Sequence, residues 1–345
     1  MRVLVTGASS LIGVGVARTL ALRGDQVVCF QRRPVDELSG IATVEQHLGD
    51  VRDATAVAAA AAGCDAIIHL AARVGVVGSA DDFTSVNVGG TRNAVSAARK
   101  HHIARFVQVS SPSVAHGGEA LIGVGAEQPT LGRERAWYAE SKALAEIEAL
   151  AATSDDLGVV ALRPHLVWGP GDTQLVGRIV ARAEQGRLAL VGGGRALVDT
   201  TYIDNAVDAL IAAVDRIEPS ATCSGRAYVI ANGEPRPIRD LVAGICAAAN
   251  VPFEPRDVPL RAARTLGSVL ERVWHRLPAR LRDGDDEPPL TRFVAEQLGT
   301  AHWFDPRPAA TDLGWTPKVS IDDGLARLTD WFAAHEPRSE HGHEH

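Results

Sequence analysis

A phenol and an ammonium stand four positions apart in Ala136-Trp137-Tyr138-Ala139-Glu140-Ser141-Lys142-Ala143. On a helix that spacing puts Tyr138 and Lys142 on one face. A phenol with a reference pKa of about 10 shuttles protons poorly at neutral pH, and a fixed cation beside it favours the ionised form. Lysine is otherwise confined to Lys100 and Lys318 in a chain whose Lys+Arg total is 35, so a lysine kept here suggests a need for its compact ammonium. The third group is Ser111, a hydroxyl just past the strand-like run Arg105 to Val109. It could hydrogen-bond a substrate oxygen and hold it near Tyr138, or it could simply cap a turn. Together the three suit proton transfer at a substrate oxygen, although a Tyr-x-x-x-Lys pair also arises by chance on exposed helices.

The elements around this trio read as alternating strands and helices. Arg2 to Thr6 is a buried strand. The stretch Gly7-Ala8-Ser9-Ser10-Leu11-Ile12-Gly13 turns tightly into a helix with Val16, Leu20 and Leu22 as apolar positions. Glycines let a backbone approach a pyrophosphate, and a helix N-terminus offers free N–H groups and a positive dipole, so Gly7, Ser9, Ser10, Leu11, Ile12 and Gly13 are expected to cradle a dinucleotide. A second strand, Gln26 to Phe30, ends in Gln31-Arg32-Arg33 where NAD-binding chains carry a carboxylate for the ribose. Arginines suit the extra phosphate of NADP, so NADP is preferred to NAD; on the plainer reading they face solvent. Asp50, just past a short third strand, could accept from the adenine amine or cap a helix. Ala66 to Ala72 is a nearly continuous apolar run of the kind parallel strands show, and Ala71 and Ala72 leave room for a cofactor. Asn87-Val88-Gly89-Gly90-Thr91 opens the next helix. The expected fold class is therefore α/β, a Rossmann-type doubly wound parallel sheet with its ligands at the carboxyl ends of the strands, where Gly7, Asp50, Ala71 and Ser111 all fall.

Composition bounds what such a fold serves. Hydrophobic residues are 46% and charged residues 22% of 345, and no run approaches the roughly twenty apolar residues of a spanning helix. The net charge of −7 argues against a nucleic-acid partner. Cys29, Cys64, Cys223 and Cys246 are scattered without metal-like pairing, which fits a reducing cytoplasm. No signal peptide is expected before the first strand.

The ordered set Thr6-Gly7-Ala8-Ser9-Ser10-Leu11-Ile12-Gly13, Asp50, Asn87-Val88-Gly89-Gly90-Thr91, Ser110-Ser111, Tyr138-x-x-x-Lys142 and Arg163-Pro164-His165-Leu166-Val167-Trp168-Gly169-Pro170 resembles the extended short-chain dehydrogenase/reductases. Ser10 departs from the middle glycine of that family's turn. Val198 to Asn205, Gly225 to Pro235 and Leu290-Thr291-Arg292-Phe293 resemble the 3β-hydroxysteroid dehydrogenase branch, and within it the bacterial 2-alkyl-3-oxoalkanoate reductases of olefin synthesis, with sterol-4α-carboxylate 3-dehydrogenases as near relatives. The resemblance covers roughly residues 1 to 335. It implies reduction of a ketone β to a carboxylate, catalysis by Ser111, Tyr138 and Lys142, Lys142 on the nicotinamide ribose, and Val51, Asn87 and Pro164 at the nucleotide. It also implies a homodimer through the helices near 87–100 and 138–150. Steroid oxidation, or the chemistry of sugar-nucleotide epimerases and dehydratases, would use the same groups.

Residues 1–164 are expected to form the nucleotide domain, with a return segment near 200–232. Residues 165–335 mainly form a smaller mixed α/β C-terminal substrate lobe for a lipid-like small molecule. Arg163, Arg195 and His165 are candidates by charge for the substrate carboxylate, or equally structural ion-pair partners. Between Leu260 and Leu281, Leu266, Val269, Leu270, Val273, Trp274 and Leu277 form an apolar face with arginines opposite, a composition suited to a lid, a lipid surface or plain core packing. Residues 336–345 read as a disordered tail; its histidines could hold stray metal, but no metal centre is expected.

Overall fold

The computed structural model describes residues 1–75, 78–115, 119–131, 137–274 and 291–335. The apolar runs become a seven-stranded parallel sheet of β1 (Arg2–Thr6), β2 (Gln26–Gln31), β3 (Val44–Leu48), β4 (Ala66–His69), β5 (Arg105–Val109), β6 (Gly158–Pro164) and β7 (Arg226–Ile230). Across the sheet the order is β7-β6-β5-β4-β1-β2-β3, the doubly wound order that leaves a crevice where the winding reverses between β1 and β4.

Strand periodicity of two explains why both faces are covered. Val3, Val5, Val27, Cys29 and Ile68 point to one side, where Val16 and Leu20 of the Leu11–Leu22 helix and Leu210 and Val214 of the Ile203–Arg216 helix close over them. Leu4, Val28, Phe30, Ile67 and Phe106 point to the other, under Val57, Ala94, Ala98 and Ala149 of three further helices. Each fully buried side chain of this size contributes about 1.5–3 kcal/mol. The alanine-rich Ala54–Ala61 helix is started by Asp53, whose carboxylate accepts from Thr55 N at 2.9 Å and Ala56 N at 3.1 Å. The capping role open to Asp50 is thus filled by Asp53.

The outer strand β7 comes from the second half of the chain. Asn205, at the start of the Ile203–Arg216 helix, fixes the return: its Nδ2 donates to Asn232 Oδ1 at 2.9 Å and to Val319 O at 2.7 Å. The chain also crosses in the opposite direction. Leu121–Val124 leaves the first half to become the edge of a second, four-stranded sheet, pairing parallel with His302–Phe304, which adjoins Leu197–Val198 and then Arg236–Pro237. Gly123 sits there at φ 62°, with the Trp303 ring 2.9 Å from where a Cβ would be, so both its conformation and its smallness are required.

The stripe expected between Leu260 and Leu281 divides. In the Leu260–Val273 helix it is Ala263 that meets Ala295 of the Arg292–Gly299 helix, and Trp274 is buried, while Leu266 and Val269 remain 50% and 47% exposed. Small residues let the two helices approach, which turns the larger ones outward. Leu277, the acidic run 283–289 and the tail 336–345 lie outside the described residues. Among the described residues no helix is long and apolar enough to cross a membrane, no group of side chains could hold a metal, and the four cysteines are buried and free.

Candidate active site

Parallel register lays the last residues of the central strands in a row. Thr6 stands beside Phe30 and His69, His69 beside Gln108, and Val109 beside Leu162. The loops that follow open onto one edge, and a cleft of 350 Å³ lies there. Gly7, Ser9 and Ser10 form one wall, with Ala71 and Ala72 facing them. Gly7 has φ 70°, and a Cβ on it would stand 2.7 Å from Ala71 N. Gly13 is as constrained, since a Cβ there would fall 2.5 Å from Gly7 O. Ser10, the departure from the glycine pattern, serves the turn itself: its hydroxyl donates to Gly7 O at 2.9 Å and accepts from Gly13 N at 3.1 Å as the helix N-cap. Leu11, Ile12 and Gly13 form the first helical turn behind that wall and do not line the cleft.

At the far end Gln31, Arg32, Asp50 and Val51 come together, with Phe30 and Gly49 beneath them. Gly49 was missed in the sequence, although a Cβ there would meet the Phe30 ring at 2.5 Å. Arg33 is exposed and outside the lining. Arg52 grips the Asp50 carboxylate with Nε at 2.9 Å and Nη2 at 2.7 Å, and holds it down at about 2, with the charge of Arg32 adding to the effect. Asp50 therefore stays an acceptor at every physiological pH. Buried Gln31 donates to Gln46 at 2.8 Å, but its own Oε1 finds no donor among the described residues. A buried acceptor without a donor is costly, and a ribose or adenine donor in the cleft would satisfy it. Glycine walls that a Cβ would fill, together with this orphaned acceptor, fit a dinucleotide.

Asn87 reaches the site differently from expectation. It lies in a π-helical turn, Thr84–Gly89, and its side chain is spent on protein. Oδ1 accepts from Arg73 N at 2.7 Å, while Nδ2 donates to Arg73 O at 3.2 Å and to Ser141 Oγ at 2.8 Å. Ser141 in turn donates to Tyr138 O at 2.9 Å. Asn87 is thus a clasp between the loop after β4 and the first turn of the Trp137–Leu150 helix.

That helix presents Tyr138 and Lys142. The Tyr138 phenol is hydrogen-bonded to the Ser111 hydroxyl, and burial pushes it above its ordinary value, with Ser111 acting in the opposite direction. Ser111 accepts from Ser113 N at 3.3 Å and Ser113 Oγ at 3.0 Å, which leaves its own proton to point at the phenol. Ser113, missed in the sequence, therefore orients Ser111. Lys142 is 4% exposed, and its ammonium donates to Val109 O at 2.6 Å. Burial pulls its pKa down to about 8, opposed by the nearby Glu146 charge. The expectation that Lys142 depresses the phenol is corrected here: the ammonium is directed at the end of β5, and desolvation governs Tyr138. His69, also unforeseen, is buried beneath the site with Nδ1 on Thr6 Oγ1 at 2.8 Å. Burial first, and the Lys142 charge second, hold it neutral at about 3.

Two of the three candidates for a carboxylate partner are engaged elsewhere. Arg163 and Glu146 form an ion pair of 1% and 0% exposure, Nε to Oε2 at 2.9 Å and Nη2 to Oε1 at 2.5 Å, and Arg163 Nη1 also donates to Glu127 O at 2.8 Å. His165 is buried with Nδ1 on Asp199 O at 2.5 Å, edge-on to His302 and Phe304. Arg195 is exposed at the end of the Gly192–Gly194 turn. Pro164, the end of β6, does not line the cleft.

Comparison with known proteins agrees with this geometry. Solved structures share the fold at low identity: epimerase Mth375 from Methanothermobacter thermautotrophicus superposes with TM-score 0.77 at 20% identity, covering 96% of this chain and 92% of that one. Among curated proteins, 2-alkyl-3-oxoalkanoate reductase from Stenotrophomonas maltophilia is 47% identical over 336 residues, 97% of this chain and 100% of that protein. The 3 beta-hydroxysteroid dehydrogenase/Delta 5-->4-isomerase of Mycobacterium tuberculosis is 31% identical, covering 96% and 90%. The profile of the 3-beta hydroxysteroid dehydrogenase/isomerase family matches residues 4–256. The chain belongs to that family, and it is an NAD(P)-dependent oxidoreductase acting on hydroxyl or keto groups.

Proposed function

We propose that the protein reduces a 2-alkyl-3-oxoalkanoate to the 2-alkyl-3-hydroxyalkanoate with NADPH. The observation that carries the chemistry is the Ser113 to Ser111 to Tyr138 hydrogen-bond chain at the carboxyl edge of the sheet, one helical turn from a buried lysine. The substrate class rests on the 47% identity to the Stenotrophomonas reductase over nearly the whole chain. Gly7, Ser9 and Ser10 hold the pyrophosphate, Asp50 and Gln31 meet the adenosine, and Arg32 meets the 2′-phosphate. Bound NADPH supplies the hydride for C3. Tyr138 supplies the proton to the C3 oxygen, and the Ser111 hydroxyl, donating to the phenol oxygen, holds the phenol in line. A phenol raised by burial keeps its proton at neutral pH, which suits a donor working in the reductive direction. Lys142, one helical turn away and cationic below about 8, returns protons towards Tyr138.

Two measurements follow. Purified protein oxidises NADPH in the presence of a 2-alkyl-3-oxo acid, and a hydroxysteroid with NAD gives no turnover; the reverse pattern assigns the protein to the sterol side. In the variant Arg32→Gln, Arg33→Gln the preference for NADPH over NADH falls by about 10- to 100-fold, the worth of one charge-assisted contact. An unchanged ratio removes the arginines from the argument.

The pH profile supplies a third expectation. Lys142 is cationic below its pKa of about 8 and neutral above it, whereas Tyr138 keeps its proton to higher pH. Reductive kcat/KM is therefore level at neutral pH and declines as pH rises through about 8. Lys142→Met abolishes that decline along with most of the rate; a wild-type profile flat well into the alkaline range contradicts the role.

A further inference from the structure

With Arg163 and His165 bound to their own neighbours and Arg195 outside the lining, the cleft wall carries, among the described residues, the arginines Arg32 and Arg73. Arg73 follows β4 by four residues, and Ser111 follows the adjacent β5 by two, with His69 and Gln108 in register between them. Both loops therefore leave the carboxyl edge of adjacent strands.

Three features make Arg73 more than a surface cation. Its backbone N–H and C=O are both taken by the one Asn87 side chain, which also ties to Ser141 in the first turn of the Tyr138 helix. The base of the side chain is thus referenced to the reacting phenol through a single clasp. Its guanidinium stacks over the buried Phe83 ring, 5.2 Å from the centroid, with Gly78 packed beside its N–H groups and the Asp82 carboxylate near enough to feel its charge, yet it makes no ion pair among the described residues. Its neighbours on the wall are apolar: Val74, 65% exposed, and Val86. A forked donor set without an ion pair, bordered on the cleft wall by valines, matches a ligand with a carboxylate attached to an alkyl-bearing carbon.

We infer that Arg73 binds the substrate's carboxylate and so selects 3-oxo acids over neutral ketones, a step that rests on the function proposed above. The alkyl branch at C2 then lies along Val74 and Val86, and Asn87 is the positioning residue for both the acid clasp and the proton donor.

The test compares wild type, Arg73→Met and Arg73→Lys in the NADP+-dependent oxidation of a 2-alkyl-3-hydroxy acid and of its methyl ester, with NADP+ affinity measured separately by calorimetry. Arg73→Met is expected to raise KM for the acid by about 10- to 100-fold, as for loss of a charged hydrogen bond, with KM for the ester and NADP+ affinity unmoved. Arg73→Lys recovers part of the loss, since it keeps the charge without the fork. Equal effects on acid and ester overturn the inference, and a parallel loss of NADP+ affinity overturns it by giving Arg73 to the nucleotide phosphates. Wild type inert towards both compounds overturns the function on which the inference stands, a result distinct from wild-type turnover with an indifferent variant.

Discussion

Tyr138→Phe is expected to lower reductive turnover by about 10²- to 10⁴-fold while NADPH binds as before, because a positioned proton donor contributes on that scale. The substitution removes one oxygen from a half-buried side chain, and the backbone tie between Ser141 Oγ and Tyr138 O is untouched, so the helix keeps its start. What is lost is the acceptor for the Ser111 proton and the donor for the substrate oxygen. Ser111→Ala should cost less, since the phenol remains, yet it also strands the two donors of Ser113 that now converge on Ser111 Oγ. Stopped-flow hydride transfer together with a nucleotide titration separates the two effects. Turnover retained within tenfold in Tyr138→Phe removes the phenol from the mechanism.

Glu146→Ala has the largest expected effect on stability. It leaves the Arg163 guanidinium charged at 1% exposure, held among the described residues by Glu127 O, and breaking a buried pair from one side costs about 3–5 kcal/mol. For a chain of this length that is a fall in Tm of roughly 4–7 °C. Glu146→Leu combined with Arg163→Met, which removes both charges, should recover much of the loss, because the pair's net contribution is small beside the cost of stranding one member. The same carboxylate raises the Lys142 pKa. In Glu146→Gln the alkaline decline in reductive rate should accordingly move to lower pH, which a purely structural role for Glu146 does not predict. Scanning calorimetry and a pH–rate series check both halves.

These outcomes depend on partners that a linear reading hides. The glycine turn, the apolar run of β4 and the Tyr138–Lys142 spacing were legible because each is local: a few adjacent residues already specify a tight turn, a strand covered on both faces and one helix face. Arg163 stood open between a carboxylate partner and a structural ion pair, since its partner lies on a helix and nothing adjacent to either residue announces the pair. Asp50 stayed open between an adenine acceptor and a helix cap until the Ala54–Ala61 helix had a fixed start at Asp53. Asn87 was visible as part of a motif, but its use as a clasp depends on a π-turn that brings Arg73 and Ser141 together across the fold. Leu266 and Val269 looked like partners of Trp274 by periodicity, yet the close approach of Ala263 to Ala295 set the helix rotation instead.

The crossing of Leu121–Val124 into the second sheet has a consequence for anyone recombining relatives of this enzyme. This strand lies in the chain between Ser111 and Tyr138, and it hydrogen-bonds to a segment near the carboxyl end, while β7 travels the other way to complete the first sheet. Neither half is a transplantable cassette. A chimera joined after residue 164 would graft a foreign His302–Phe304 edge onto a resident Leu121–Val124, with the mismatch falling between the two residues that handle the proton. Exchange of substrate preference among homologues should therefore travel with residues 119–131 as an accompanying insert, and hybrids that omit it should fold with an open strand edge and self-associate.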